Sequence, residues 1–196
     1  MYKKQVKLQK ILCLALLLAS ALVFVYSLGI MTDLYDALYS TIRSASNLDR
    51  STVTGSRVYY DMQDFNKLFL KLSIGMILLC VLLFVTNTQS RRKYYIGNYC
   101  AIGLVTAGGA ALSVWAHGQI EFYKAKFLEI NFEELATHAA KRKTLYTEST
   151  FWFDVHYLVF GLLLIGIVLL IASTIWKCKL MKEEQALIAQ GKGAAA

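Results

Sequence analysis

Proline is missing from all 196 residues, where average usage of about 5% would supply roughly ten in a chain of this length. Without it no residue removes a backbone donor or collides with the preceding turn, so long unbroken helices are permitted. The same lack argues against transporter folds whose helices unwind at the membrane midplane. Also absent are a phosphate-cradling glycine loop, a dinucleotide-binding turn, a nucleophile elbow and an HExxH pair. Nucleotide hydrolysis and zinc proteolysis through those motifs are therefore not expected. Cysteine is confined to Cys13, Cys80, Cys100 and Cys178, with no C-x-x-C spacing and none in the two longest polar stretches. That usage disfavours a disulfide framework or a disulfide oxidase and leaves the thiols as small hydrophobes.

What the chain has in quantity is apolar residues, 57% of the total, gathered into blocks. Four blocks are long enough to cross a bilayer at 1.5 Å per residue, namely 11–32, 68–86, 94–116 and 155–176. The expected fold class is an all-α membrane protein, a four-transmembrane-helix bundle forming a single membrane domain over 1–196. A basic leader (1–10), a short link (87–93) and a tail (177–196) alternate with two longer connections (33–67 and 117–154). A signal peptide at the N-terminus is the weaker reading, because the first apolar run exceeds the usual 7 to 15 residue core.

The formal charge is +8, and it is sorted by segment. Leader, link and tail hold eleven Lys/Arg against two acids, while the rest of the chain holds ten against eleven. Basic residues concentrated in short segments at helix ends follow the positive-inside rule, which places both termini and the link in the cytoplasm. This distribution accounts for the charge without nucleic acid as a partner. No Asp, Glu, Lys, Arg or His falls in the middle third of any span. Proton relays, voltage sensors and carriers of charged substrates need such groups, so none of these is expected of the chain alone.

The third span is poor in bulk. Gly103, Ala107 and Ala111 recur every fourth residue, with Gly108 to one side. Hydrocarbon offers little hydrophobic force between helices, so small residues act mainly by letting backbones approach. They are expected to pack this helix centrally in the bundle or to form a partner interface. Asn98, the strongest polar residue within a span, is expected to bond a neighbouring helix. Trp115 and Trp152 at the outer boundary and Trp176 at the inner one are expected as interface anchors, as is Lys71, whose stem can snorkel to the headgroups.

The connections read as helical. Leu34, Tyr35, Leu38, Tyr39 and Ile42 share one helical face, which suits packing against the other outer connection or docking of a partner. In the second connection Ile120, Tyr123, Phe127 and Ile130 repeat at three and four, so the third span is expected to project outward with an apolar seam. Asn131 with Glu134 three residues on resembles a capping box, opening a helix that ends in Lys141, Arg142 and Lys143. The tail is expected to begin as an exposed helix and to lose order over the closing GKGAAA.

His117, Asp154 and His156 all lie near the outer ends of spans three and four, which raises a metal or proton site. Asp154 and His156, however, are two residues apart and diverge by about 200° on a helix. Zinc motifs have tighter spacing, so these residues are assigned structural roles. No catalytic, cofactor-binding or metal residue is assigned, and no cofactor is expected.

The stretch Tyr26 to Ile42, YSLGIMTDLYDALYSTI, resembles uncharacterised four-span proteins associated with sugar-uptake ABC transporter operons of Gram-positive bacteria. The resemblance implies an accessory subunit in the bacterial cytoplasmic membrane, beside permeases, an ATPase and a solute-binding lipoprotein. The permeases' coupling-helix motif is not evident. The leading expectation is a noncatalytic integral-membrane subunit contacting lipid and other membrane subunits. A self-associating channel or carrier built as a homo-oligomer is the alternative, and a membrane enzyme with an outer-face site is third.

Overall fold

The computed structural model describes residues 2–34, 53–55, 58–88, 95–142 and 147–193, and no strand occurs among them. The described residues form six helices in order: α1 (Tyr2–Leu34), α2 (Val58–Asp61), α3 (Gln63–Thr88), α4 (Tyr95–Leu128), α5 (Phe132–Arg142) and α6 (Phe151–Gly193). Four of them, α1, α3, α4 and α6, are long and apolar enough to cross a membrane. Helices suit that medium because they satisfy every interior backbone group within the segment. At 33, 34 and 43 residues, α1, α4 and α6 exceed the roughly 20 residues that a bilayer core needs.

Helix bounds extend beyond the apolar blocks. The basic leader is already helical from Tyr2, and α6 runs to Gly193, into the GKGAAA segment where loss of order is expected. The third span does continue as one helix to Leu128. Its seam is realised by Ile120 and Phe127, with Ile130 just beyond the helix end, all three buried.

The chain divides into two compact units. Unit one comprises Met1–Ser20, Met76–Gly109 and Leu162–Ala196; unit two comprises Ala21–Gly75 and Ala110–Gly161. In unit one, buried Leu12, Leu16, Cys80, Leu83, Val105, Leu163, Ile167 and Leu170 make the apolar core. Its helices meet at two glycines. A Cβ on Gly109 would lie 2.6 Å from Ile167 Cδ1 and 3.1 Å from Met76 Cε, and one on Gly166 would lie 2.7 Å from Leu16 Cδ2. These distances are shorter than van der Waals contact, so the ends of the Ile167, Met76 and Leu16 side chains would have to shift to admit any larger residue at either position.

Unit two has an aromatic core. Tyr26 meets Phe69 and Phe160 edge-on at ring-centroid distances of 6.0 and 6.4 Å, and Phe65 stacks on Phe69 at 5.5 Å. The edge-on pairs place positive ring edges against negative faces. Gly29 makes room for the Trp152 ring, into which an added Cβ would project.

The short segment 53–55 is tied to the start of α5. Asn131 N donates to Thr54 O at 3.1 Å, and Thr54 N donates to the Glu134 carboxylate at 3.3 Å. Asn131 Oδ1 accepts from Glu134 N at 3.2 Å, the capping bond its sequence position suggests. Asn131 thus caps the helix by accepting from the Glu134 amide, but the Glu134 carboxylate accepts from Thr54 N and the Asn131 amide donates to Thr54 O, in place of the reciprocal bond of a full capping box. Gly55, at φ +82°, lies in the left-handed region and faces the Glu129–Ile130 backbone, where a side chain would be both strained and crowded.

Candidate functional site

A cluster of metal-ligating side chains lies within unit two. His117 and Glu121 stand four residues apart on α4 and therefore share one helical face. Across from them α6 presents His156, which is 1% exposed. His117 Nδ1 is 2.8 Å from His156 Nε2, and His156 Nε2 is 3.8 Å from Glu121 Oε1. One donor atom from each residue fits within a mutual separation of 4.8 Å.

The outer atoms of the cluster are held. His156 Nδ1 contacts the carbonyl of Phe153 three residues earlier, so Nδ1 carries the proton and Nε2 presents its lone pair. Tyr157 donates its hydroxyl to Glu121 Oε1 at 2.9 Å, which fixes the carboxylate. The Tyr157 ring also lies against both imidazoles, at centroid distances of 4.0 Å from His156 and 5.7 Å from His117. His156 is sealed by apolar surface on one side, with the Phe160 ring at 5.9 Å. His117 is exposed, leaving the cluster open on that side.

Asp154 takes a different partner. Its carboxylate receives Lys124 Nζ at 2.5 Å and the Thr150 hydroxyl at 2.7 Å. The divergence of Asp154 and His156 on one helix has this consequence: one turns to an ion pair with α4 and the other to the histidine and glutamate of α4. Glu121 is the ligand-type residue that sequence reasoning missed. Its signal is the spacing of four from His117, which is uninformative until α6 is known to bring His156 to that face.

A second polar cluster lies within unit one. Asn98 Oδ1 accepts from Gln9 Nε2 at 3.5 Å and from Lys177 Nζ at 3.3 Å, while Asn98 Nδ2 donates to Thr86 Oγ1 at 3.5 Å. Gln5 Nε2 donates to Gln9 Oε1 at 2.8 Å and to Ser173 O at 3.2 Å. Gln5, Gln9, Asn98 and Lys177 are all buried. Asn98 therefore does bond neighbouring helices: Thr86 closes the second apolar block, while Gln9 and Lys177 come from the leader and tail that the sequence marks as polar. Such a network fixes the relative register of the helix segments in unit one.

The small residues of α4 do not share one fate. Gly103 has nothing within 4 Å of an added Cβ, and Ala107 and Ala111 are exposed, whereas a Cβ added at Gly108 would lie 3.3 Å from Leu79 Cδ1. Close packing inside the chain thus uses Gly109, and the Gly103, Ala107, Ala111 face is turned outward. Trp115 is half-buried against the Phe65 ring at 5.5 Å, Trp152 lies over Gly29, and Trp176 and Lys71 are exposed. Tyr35, Tyr39 and Ile42 lie outside the described residues. All four cysteines are free thiols, with Cys13 and Cys80 buried. No family model, curated protein or solved structure matches the chain.

Proposed function

We propose that this chain is a noncatalytic integral-membrane subunit that docks other membrane helices against the Gly103 and Ala107 face of α4. The observation that carries the reading is the outward turn of that face. Small residues four apart favour close helix association in lipid, and here the chain's own helices leave Gly103 untouched while packing on Gly109. Ile96 and Leu104, 80% and 52% exposed on the same helix, supply apolar surface beside the small residues.

The partner class is an integral-membrane protein, and the likeness of Tyr26 to Ile42 to proteins of sugar-uptake operons supports the permeases of a solute ABC transporter. The segregation of Lys/Arg into leader, link and tail supports cytoplasmic termini in a bacterial cytoplasmic membrane. Native mass spectrometry of the chain extracted in mild detergent tests the proposal. It is expected to reveal a defined complex with other membrane subunits that is lost in Gly103→Leu. A monomer, or a complex unaffected by that substitution, would defeat it. A complex of identical copies would favour instead the self-associating channel or carrier.

A further inference from the structure

We propose that His117, Glu121 and His156 form a binding site for a divalent transition-metal ion of the zinc class. The site lies within unit two, so it stands or falls independently of the α4 docking face at Gly103 and Ala107. Its three ligands are two imidazoles and one carboxylate, a donor set that suits zinc, cobalt and neighbouring ions rather than calcium or magnesium, which prefer oxygen alone.

Zinc–nitrogen bonds of about 2.0 to 2.1 Å in a tetrahedron place donor atoms roughly 3.3 Å apart. The observed separations of 2.8 Å between His117 Nδ1 and His156 Nε2, and 3.8 Å between His156 Nε2 and Glu121 Oε1, bracket that value. Tetrahedral spacing is reached when the first pair opens and the second closes by about half an ångström each, starting from three donor atoms that lie within 4.8 Å of one another.

Two of the three ligands already carry the supporting contacts of a metal site. A metal-bound histidine usually donates its other N–H to a carbonyl or carboxylate, and a bound carboxylate is itself hydrogen-bonded. His156 Nδ1 has its partner in the Phe153 carbonyl, and Glu121 has one in the Tyr157 hydroxyl. Lys124, the cation nearest the cluster along α4, is engaged by Asp154 at 2.5 Å. Its charge opposes an incoming cation less than a bare lysine would.

Without metal, the His117 Nδ1 proton bridges to the lone pair of His156 Nε2. Metal binding replaces that bridge. The exposed His117 ring exchanges its Nδ1 proton for one at Nε2 through solvent, and both imidazoles stay neutral as they bind. Three protein ligands leave a coordination position open on the exposed His117 side, available to water or to an anionic or carbonyl oxygen of a ligand.

The test uses the full chain in mild detergent, without a polyhistidine tag and stripped with chelator. Zinc is titrated calorimetrically, and cobalt is followed by its visible absorption. One zinc per chain and a tetrahedral cobalt spectrum are expected. H117N and E121Q are expected to weaken zinc at least about 10-fold, and Y157F, which removes only a supporting bond, by about 10-fold. His156 is buried and its variants risk misfolding, so the exposed His117 and half-exposed Glu121 carry the decision. Failure of the unmodified chain to take up zinc would overturn the proposal. So would equal affinity in the H117N, E121Q double variant.

Discussion

His117 Nδ1 lies 2.8 Å from His156 Nε2, although the residues are 39 positions apart and belong to different long helices. The contact joins α4 to α6 in unit two. A metal that binds this pair with Glu121 only in the folded state must also stabilise that state. At free zinc of 100 times the dissociation constant, the gain is about 2.7 kcal/mol. Thermal unfolding in detergent should therefore move upward with added zinc in the native chain, and by much less in E121Q. An unmoved midpoint in the native chain would contradict this.

Gly109 and Gly103 lie on the same helix and should respond in opposite ways to a larger side chain. Gly109→Val drives methyl groups toward Ile167 and Met76, and overpacking of that kind costs about 1 to 3 kcal/mol. Gly103→Val meets open space and should change the stability of the isolated chain by under about 0.5 kcal/mol. Paired thermal melts in detergent check the contrast, and equal losses at the two sites would contradict the assigned faces of α4.

The contact between Gly29 and Trp152 should show coupling. Gly29→Ala places a methyl inside the Trp152 ring and is expected to destabilise unit two by about 1 to 3 kcal/mol, with a changed tryptophan emission. Combined with Trp152→Leu, much of that clash is removed. The double variant should therefore lose less than the sum of the singles, with a coupling above about 0.5 kcal/mol. Strict additivity would place the indole elsewhere.

Asn131 holds the start of α5 by accepting from the Glu134 amide at 3.2 Å. Asn131→Ala should cost about 1 kcal/mol, the usual loss for such a cap. The effect should appear first as faster hydrogen exchange in α5, while α4 amides near Val105 stay protected. Unchanged exchange in α5 would show that the bonds between Thr54 and this region suffice alone.

Long elements were the readable part of the chain. A run such as Leu68 to Thr86 has one structural solution in lipid, and the period of Ile120, Phe127 and Ile130 marks a buried seam because the opposite face there is polar. The capping role of Asn131 was equally visible, since it depends on residues three apart. Which side of α4 faces inward was not. Within a span both faces are apolar, so small residues at Gly103 and at Gly109 look alike until the neighbours are known. The histidine cluster was half visible. His117 and His156 stood out as polar residues at span ends, but Glu121 needed the rotation of α4 against α6. Gln5, Gln9 and Lys177 resembled solvated leader and tail, and only continuation of α1 and α6 as helices draws them into a buried network.

The docking role of α4 is tested most directly by in-membrane photocrosslinking in the native host. A photoreactive side chain at Ala107 is compared with one at Val168, which is 63% exposed on α6. A discrete crosslink to another membrane protein from Ala107, absent from Val168 and abolished by Gly103→Leu, is the expected result. Crosslinks to lipid alone from both positions would contradict the role assigned to this chain.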